Sequence, residues 1–414
     1  MLLWLGTTGI TSSNDGSHLA LTRALVLRGE TAIDSEVALT LWVDRSKRDG
    51  HQYSDRPPGT AFAAVPAVAI GAQLDPGMLR DALERKDVVF TPATPSYLAI
   101  YNTRPARLGV VATPILAYQG TAAALSVHTV GMGMLGLWAV AWLLARRAIG
   151  PTARAFAVGG LALGTLWGPY STTLFSHVTA GTLLALMLVA IDGLRDVESG
   201  RRRAGLAAAV GLTAGWAVSA DYLVGLLAVG LAVASVDWRR DARLLPWVLL
   251  GALPIAAATA AYHDAAFGSP LSIGYDHHAN FKFARERGST FSGNFGSGLW
   301  TLWGMGKGAG IFALAPLAAF GVVGLARSPW RWLAAGAAPW IIVLAMHKTP
   351  AGGGSADHRY LVPLLPVLGL GLGALWQRLV TDGGPRGRWV GAALLLVALA
   401  SAFLGWSHFL RIQG

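Results

Sequence analysis

The chain is 414 residues long, 53% hydrophobic and only 13% charged, proportions that exclude an ordinary soluble domain and describe an integral membrane protein. A net charge of +11 raises nucleic acid as a ligand, but much of it is arginine in short tracts between apolar runs, with no aromatic stacking platform beside them, so topology accounts for it better. Cysteine is absent, which removes disulfides, thiolate nucleophiles and Cys-ligated metals.

Residues 1–10 are apolar but reach only about half the length of a spanning helix, and they lack the basic start and cleavage site of a signal peptide. They read as the end of a first transmembrane helix that begins upstream. A long polar run follows over 11–59. Within it, the spacing of 17–28 predicts a helix at the membrane surface, capped by Asp15 or Ser17 and closed by Gly29. Residues 57–72, PPGTAFAAVPAVAIGA, are short for a span and carry Pro66, so they read as an interfacial or re-entrant helix. The polar, Pro-containing stretch 73–107 stays on the same side as Asp15, making 11–118 a first outer loop. Clear spans follow at 120–145, 155–167, 173–191, 204–218, 222–236, 244–261, 308–325, 332–346, 360–376 and 389–406, with a second long outer loop at 262–307. With the cut first helix, the expectation is a single all-α membrane domain of about eleven transmembrane helices.

Orientation follows from the short connections, because Lys and Arg mark the cytoplasmic side. Every second connection is arginine-rich: Arg146, Arg147 and Arg154; Arg195 and Arg201 to Arg203; Arg239, Arg240 and Arg243; Arg327 and Arg331; Arg378, Arg386 and Arg388. The intervening connections hold the unusual polar sequence, GPYSTTLFSH, SADY, the long run from YHDAAFGSP to GMGKG, and HKTPAGGGSADHRY. Parity places Asp15 and YSDRPPG on that same outer side.

Chemistry-bearing residues concentrate there. Asp15, in NDGSH, is a carboxylate able to take a proton from an attacking hydroxyl; its plainer role is a helix cap in an NDG turn. Asp34, Asp44 and Asp49 are rival bases in the same loop. Arg56, in YSDRPPG, stands beside an apolar segment where a guanidinium suits a lipid phosphate; alternatively it pairs with Asp55 or snorkels. Lys307 opens a span from the outer side, either neutralising a leaving phosphate or anchoring the interface. His358, Arg359 and Tyr360 form a cationic, aromatic cap that suits a phosphate or a sugar, or an interface belt. His177 and Asp221 mark outer helix ends, where a capping or bundle role competes with a functional one. His263, His277 and His278, with Asp264 and Asp276 nearby, match no standard metal-ligand spacing, so no metal is expected. No phosphate-binding loop of the G-x-x-x-x-G-K-[ST] type is present, and nucleotide binding has no support.

Taken in order, NDGSHLALTRALVLRGETAID, YSDRPPGTAFAAVP, LALGTLWGPYSTTLFSHVTAG, FGSPLSIGY, GIFALAPL and ADHRYLVPLLP resemble the multi-spanning GT-C glycosyltransferases, especially bacterial members related to protein O-mannosyltransferases and to the aminoarabinose transferases of lipid A. The resemblance covers nearly the whole chain and is specific as a series. It implies a transferase that moves a sugar from a polyprenyl-phosphate carrier to an acceptor hydroxyl at the outer face of the plasma membrane, with the carrier lipid as donor substrate and no further cofactor. It implies Asp15 as general base and Arg56 at the carrier phosphate; Arg359, from its place in the cationic cap, is a further candidate for the phosphate beside Lys307. Tyr53, Asp55, Tyr170, His177, His358 and Tyr360, in or beside the quoted strings, are candidate substrate contacts. Many relatives carry an Arg directly before a Gly-Leu-Phe-like run; here the run is AGIFALAP and Lys307 is the substitute.

The chemistry is consistent with that implication. Transfer from a phosphate-linked sugar needs a base for the acceptor and cations for the departing phosphate, without the second carboxylate that a glycosidase uses as acid. Direct displacement would invert the sugar carbon. The competing classes are a transporter or flippase, which would place ionisable groups near the midplane, and a non-catalytic assembly subunit. His128, inside the 120–145 span, is the main midplane candidate and reads first as a hydrogen-bonding group within the bundle.

Overall fold

The computed structural model describes residues 12–40, 42–74, 119–304, 310–352 and 358–413. Residues 1–10, the 75–118 part of the first outer loop and Lys307 lie outside them.

Every apolar stretch expected to span is mostly helical where described. The first helices are α1 (Ser13–Arg28), α2 (Gly59–Leu74), α3 (Gln119–Arg146), α4 (Pro151–Leu163) and α5 (Ser176–Gly193). Then come α6 (Arg201–Ala220), α7 (Val224–Ser235), α8 (Leu245–Phe267), α9 (Phe295–Trp303), α10 (Leu317–Ala326), α11 (Arg331–Ala345), α12 (Leu365–Trp376) and α13 (Gly387–Gln413). Five helical stretches are long and apolar enough to cross a membrane: Ala123–Arg146, Ser176–Asp196, Trp238–Phe267, Arg359–Thr381 and Gly384–Leu410. The other expected spans form shorter or less apolar helices among the described residues, so the count of about eleven is not reached by this measure. The stretch expected at 308–325 breaks at Pro316 into Ile311–Leu314 and α10, and α2, α7, α10 and α11 are apolar but short.

The helices lock together through small residues. Gly230 of α7 and Gly336 of α11 meet backbone to backbone, and a Cβ on either would collide with the other's carbonyl. Such contacts let helices approach closely where lipid gives no hydrophobic drive to associate.

Two ends emerge from this packing. The arginine-rich connections form one end: Arg146 and Arg147 reach Asp192 at 3.2 and 3.1 Å, and Arg203 pairs with Asp241. The polar connections gather at the other. His177 and Asp192 stand near the two ends of α5, and Ser219 and Arg203 near those of α6, so at about 1.5 Å per residue each helix separates the two ends by roughly 25 Å.

Two expectations about the first outer loop change. The chain is not purely helical: β1 (Arg45–Arg48) and β2 (His51–Ser54) pair antiparallel with Arg48 opposite His51. Asp49 and Gly50 between them both take positive φ, 49° and 87°, the two-residue turn whose twist matches a hairpin. The strands are four residues each, with Arg45 and Lys47 on one face and Arg48 on the other, too short to announce themselves by alternation. Nor does α1 lie open at a surface. Its residues from Ser13 to Ala24 are buried, enclosed by α2, the 3-10 turn Asp34–Thr40 and β2. Burial of so polar a helix requires internal partners. Ser17 Oγ meets Ser54 Oγ at 2.8 Å, and Thr22 Oγ1 donates to the His18 carbonyl at 2.8 Å.

Candidate active site

The hairpin carries the site. Strand β2 runs directly into Asp55 and Arg56, and two prolines then stop the ladder, since proline gives no N–H to it. Helix α2 starts at Gly59, whose carbonyl accepts from Trp216 Nε1 of α6 at 2.9 Å. Asp55 and Arg56 are thereby fixed between α1 and the bundle. A later loop clamps the same hairpin from outside. Ala279 N donates to the Arg45 carbonyl at 2.9 Å, and Asn280 Nδ2 donates to the Trp42 and Val43 carbonyls at 2.7 and 2.6 Å. This loop delivers His278.

A charge network results. Arg56 Nη2 lies 2.7 Å from Asp44 Oδ1, and its Nε lies 3.4 Å from Asp55 Oδ2. Ser13 Oγ donates to Asp44 and Ser17 Oγ to Asp55, the latter at 3.2 Å. Asn14, with its amide turned so that oxygen faces the guanidinium, accepts from Nη1 and Nη2 at 3.3 Å. Burial alone would raise the Asp44 pKa, but Arg56, the Ser13 hydrogen bond and His278 outweigh it and hold the carboxyl below its ordinary value. For Asp55 burial wins, with the Asp44 charge adding to it, against the pull of Arg56, and its pKa is pushed up to about 7. Burial lowers the pKa of Arg56, but the two carboxylates overcome it and hold the guanidinium charged.

These groups line one wall of a cavity of about 470 Å³, a size that suits a small-molecule site. Asn14, Asp44, Asp55 and Arg56 supply that wall; His177, Asp221, Tyr222, His347, Arg359 and Tyr360 supply a second polar region, and Phe281, Phe283, Phe291, Trp340 and Leu344 an apolar one. Arg359 stacks over Phe175 and over Tyr360, 5.5 Å from each ring centre, and Tyr360 stands edge-on to His177 and His347 at 5.8 and 5.4 Å. His177 Nδ1 is shared between Ser176 Oγ and Asp221 Oδ2, both at 3.3 Å.

Of the residues expected from sequence, Asp55, Arg56, His177, Arg359 and Tyr360 come together here. Asp15 does not reach the wall. It is fully buried, and its Oδ1 accepts from Ser12 N and Ser12 Oγ at 2.8 Å and from Gly16 N at 3.0 Å, closing a capping box at the start of α1. Its neighbour Asn14 faces the cavity in its place, because helical geometry turns adjacent residues about 100° apart. Tyr53 packs against Phe267 at 5.5 Å and Tyr170 against Phe175 and Phe409 at 5.4 Å, both away from the cavity. His358, buried with positive φ, donates its N–H to the Ala351 carbonyl at 2.7 Å and holds the turn that aims Arg359.

The three histidines weighed as metal ligands separate. His263 bonds the Tyr222 hydroxyl and the Pro270 carbonyl, and His277 bonds Ser272 Oγ and stacks on Phe267. Among the described residues the ligand-type cluster is Asp44, Asp55 and His278, all buried, with ligand atoms within 4.8 Å of one another. Arg56 already supplies positive charge to both carboxylates. His278 Nδ1 accepts from the backbone of Asn280 and Phe281, both at 3.1 Å, so Nε2 carries the proton towards Asp55, 3.5 Å away. As arranged, the trio fits a salt-bridge network better than a cation. Asn14, Tyr275, His278 and His347 escaped sequence reasoning as members of this site; no spacing links them, and only NDG beside YSDRPPG hinted at Asn14.

No family model and no curated protein matches the chain. Solved structures do. ArnT from Cupriavidus metallidurans bound to undecaprenyl phosphate aligns at 16% identity with a TM-score of 0.55, over 100% of this chain and 74% of ArnT. The apo state of the same protein aligns at 15% identity with the same TM-score and coverage. At this identity the likeness is one of fold: from the buried α1 to α13 the chain is folded like ArnT.

Proposed function

We propose that this protein is a membrane glycosyltransferase that moves a sugar from a polyprenyl-phosphate carrier to an acceptor hydroxyl. The observation that carries the reading is that Arg56 and Arg359, distant in sequence, line one cavity together with carboxylates, a His–Asp pair and an apolar wall of Phe281, Phe283, Phe291 and Trp340. Undecaprenyl phosphate is bound by the ArnT of like fold, and a prenyl phosphate matches the two characters of this cavity. Arg56 and Arg359 hold the phosphate, and the aromatic wall takes the first prenyl units.

In the reaction the acceptor oxygen bonds to the sugar's anomeric carbon as the bond to the phosphate oxygen breaks. The carrier phosphate keeps that electron pair, and the two guanidiniums stabilise its charge. The acceptor proton passes to His177, whose Nδ1 lies 3.3 Å from Asp221 Oδ2, a carboxylate placed to stabilise the imidazolium that forms. Asp15 supports the site indirectly, by fixing the turn that presents Ser13 to Asp44 and Asn14 to Arg56. Displacement from the face opposite the phosphate inverts the anomeric carbon. The cavity end faces the exterior and the arginine end the cytoplasm, by the charge bias of the short loops.

The test is transfer by the purified protein in nanodiscs supplied with polyprenyl-phosphate sugars and a hydroxyl acceptor. Release of polyprenyl phosphate, abolished by Arg56→Ala and by Arg359→Ala, is the expected result. Translocation of the intact lipid-linked sugar without release would overturn it in favour of a flippase.

A further inference from the structure

At the arginine end a second cavity, about 610 Å³, opens between the start of α6 and the start of α8. Arg195, Arg203, Arg240 and Arg243 line it, against a single acid, Glu198. The arginines are not equally satisfied. Arg203 is paired with Asp241, and Arg195 reaches Asp192 at 3.3 Å, a carboxylate already shared with Arg146 and Arg147. Arg240 and Arg243 have no carboxylate partner among the described residues. Arg240 Nη2 donates instead to the Val197 carbonyl at 2.9 Å, and its Nη1 to that of Arg195 at 3.3 Å, which fixes the guanidinium in place without neutralising it. The N-terminal turn of the 20-residue α6, starting just after Gly200, adds its unpaired N–H groups to the same space.

The rim of this cavity continues onto an apolar face. Leu244 and Trp247 line its edge, and from there Leu245, Leu249, Leu250 and Leu253 of α8 are exposed along one side of the helix, 52%, 63%, 54% and 58% respectively. Only 6% of the most apolar window of Trp238–Phe267 is buried within the chain, so this is the side that meets lipid. Trp247 sits where tryptophan marks a membrane interface.

We propose that this cavity is a binding site for the phosphate headgroup of an anionic phospholipid whose acyl chains lie along α8. The fixed, un-neutralised guanidinium of Arg240, with Arg243 and the partly shared Arg195 beside it, forms the anion site, and basic pockets between transmembrane helices favour such headgroups. The exposed leucine row sets lipid apart from free phosphate as the source, because inorganic phosphate would make no use of it. The site is at the opposite end of α5 and α6 from the Arg56 cavity and does not depend on the function proposed for that cavity.

Native mass spectrometry of the detergent-purified protein, titrated with phosphatidylglycerol or phosphatidylcholine, tests the site. Wild type retains phosphatidylglycerol preferentially, and Arg195→Ala/Arg243→Ala weakens its retention roughly 30-fold, at about 1 kcal/mol for each arginine. The lysine double variant, Arg195→Lys/Arg243→Lys, keeps the charge and most of the preference, which separates loss of the site from loss of the fold. Equal retention of the two lipids, or an alanine variant that binds phosphatidylglycerol as wild type does, overturns the proposal. So does inorganic phosphate that displaces the lipid at equal concentration, since the leucine row would then contribute nothing.

Discussion

His177 Nδ1 and Asp221 Oδ2 lie 3.3 Å apart, joining the first turn of α5 to the residue that ends α6, and His177 Nε2 has no hydrogen-bond partner among the described residues. A proton on Nδ1 facing this carboxylate would leave Nε2 as the acceptor. Asp221→Asn, which can present an N–H to Nδ1 and reverse the tautomer, is expected to lower the turnover of sugar transfer by about 10²- to 10⁴-fold. The KM for the lipid donor should change little. Steady-state transfer kinetics in nanodiscs check this, and an unchanged turnover removes His177 as base.

Arg56 stands between two buried carboxylates. Arg56→Ala leaves Asp44 and Asp55 facing each other uncompensated, and the loss of a buried partner costs about 3–5 kcal/mol. Its melting temperature should fall sharply in detergent, together with donor binding. Arg56→Lys retains the charge but not the two-sided reach to Asp44 and Asp55, so it should fold and show a raised donor KM. A lysine variant with wild-type donor affinity would show that paired donors are not used on the phosphate.

Two sets of buried groups give stability an optimum in pH. Burial lowers His278 to about 4, with nearby arginines adding to the effect and Asp44 opposing it, and lowers His18 to about 3, with Arg56 and His177 adding. Their contribution is present above the ordinary histidine value of 6.5 and is lost as pH falls towards those folded values, by up to roughly 1.4 kcal/mol per pH unit for each histidine. Asp55 has the opposite sign. Its pKa is raised to about 7, so its contribution is present below the unfolded carboxyl value and is lost as pH rises through 7. Melting temperature measured against pH should show both limbs, with His18→Phe flattening the acid limb and Asp55→Asn the alkaline one.

Asp15 and Asp221 can be told apart by kinetics. Loss of a capping carboxylate costs about 1 kcal/mol, so Asp15→Ala should lower the melting temperature by a few degrees. Asp15→Asn should retain far more transfer than Asp221→Asn, because Asp15 lies inside the α1 turn, away from the cavity wall. A transfer rate for Asp15→Asn as low as that of Asp221→Asn would return the role of base to Asp15.

Much of the architecture was legible in the chain itself. Apolar length and the alternation of arginine-rich with polar connections located the helices and sorted their ends, because each helix must bury or expose a whole apolar surface and each charge must stay near water. YSDRPPG marked Arg56 for the same reason: a charged residue before two prolines at an apolar boundary is a local feature. Asp15 shows the limit. Sequence could see an acid after NDG, but whether Asn14 or Asp15 faces the cavity is set by the rotation of α1 against the hairpin. The hairpin and the loop that brings His278 to Asp55 over 200 residues away depended on packing between distant segments, as did the meeting of His177 with Asp221. Local composition determined which segments form apolar helices and which connections carry polar chemistry; only the tertiary structure decided which of those polar groups share one cavity, since that depends on helix rotation and loop contacts that no periodicity records.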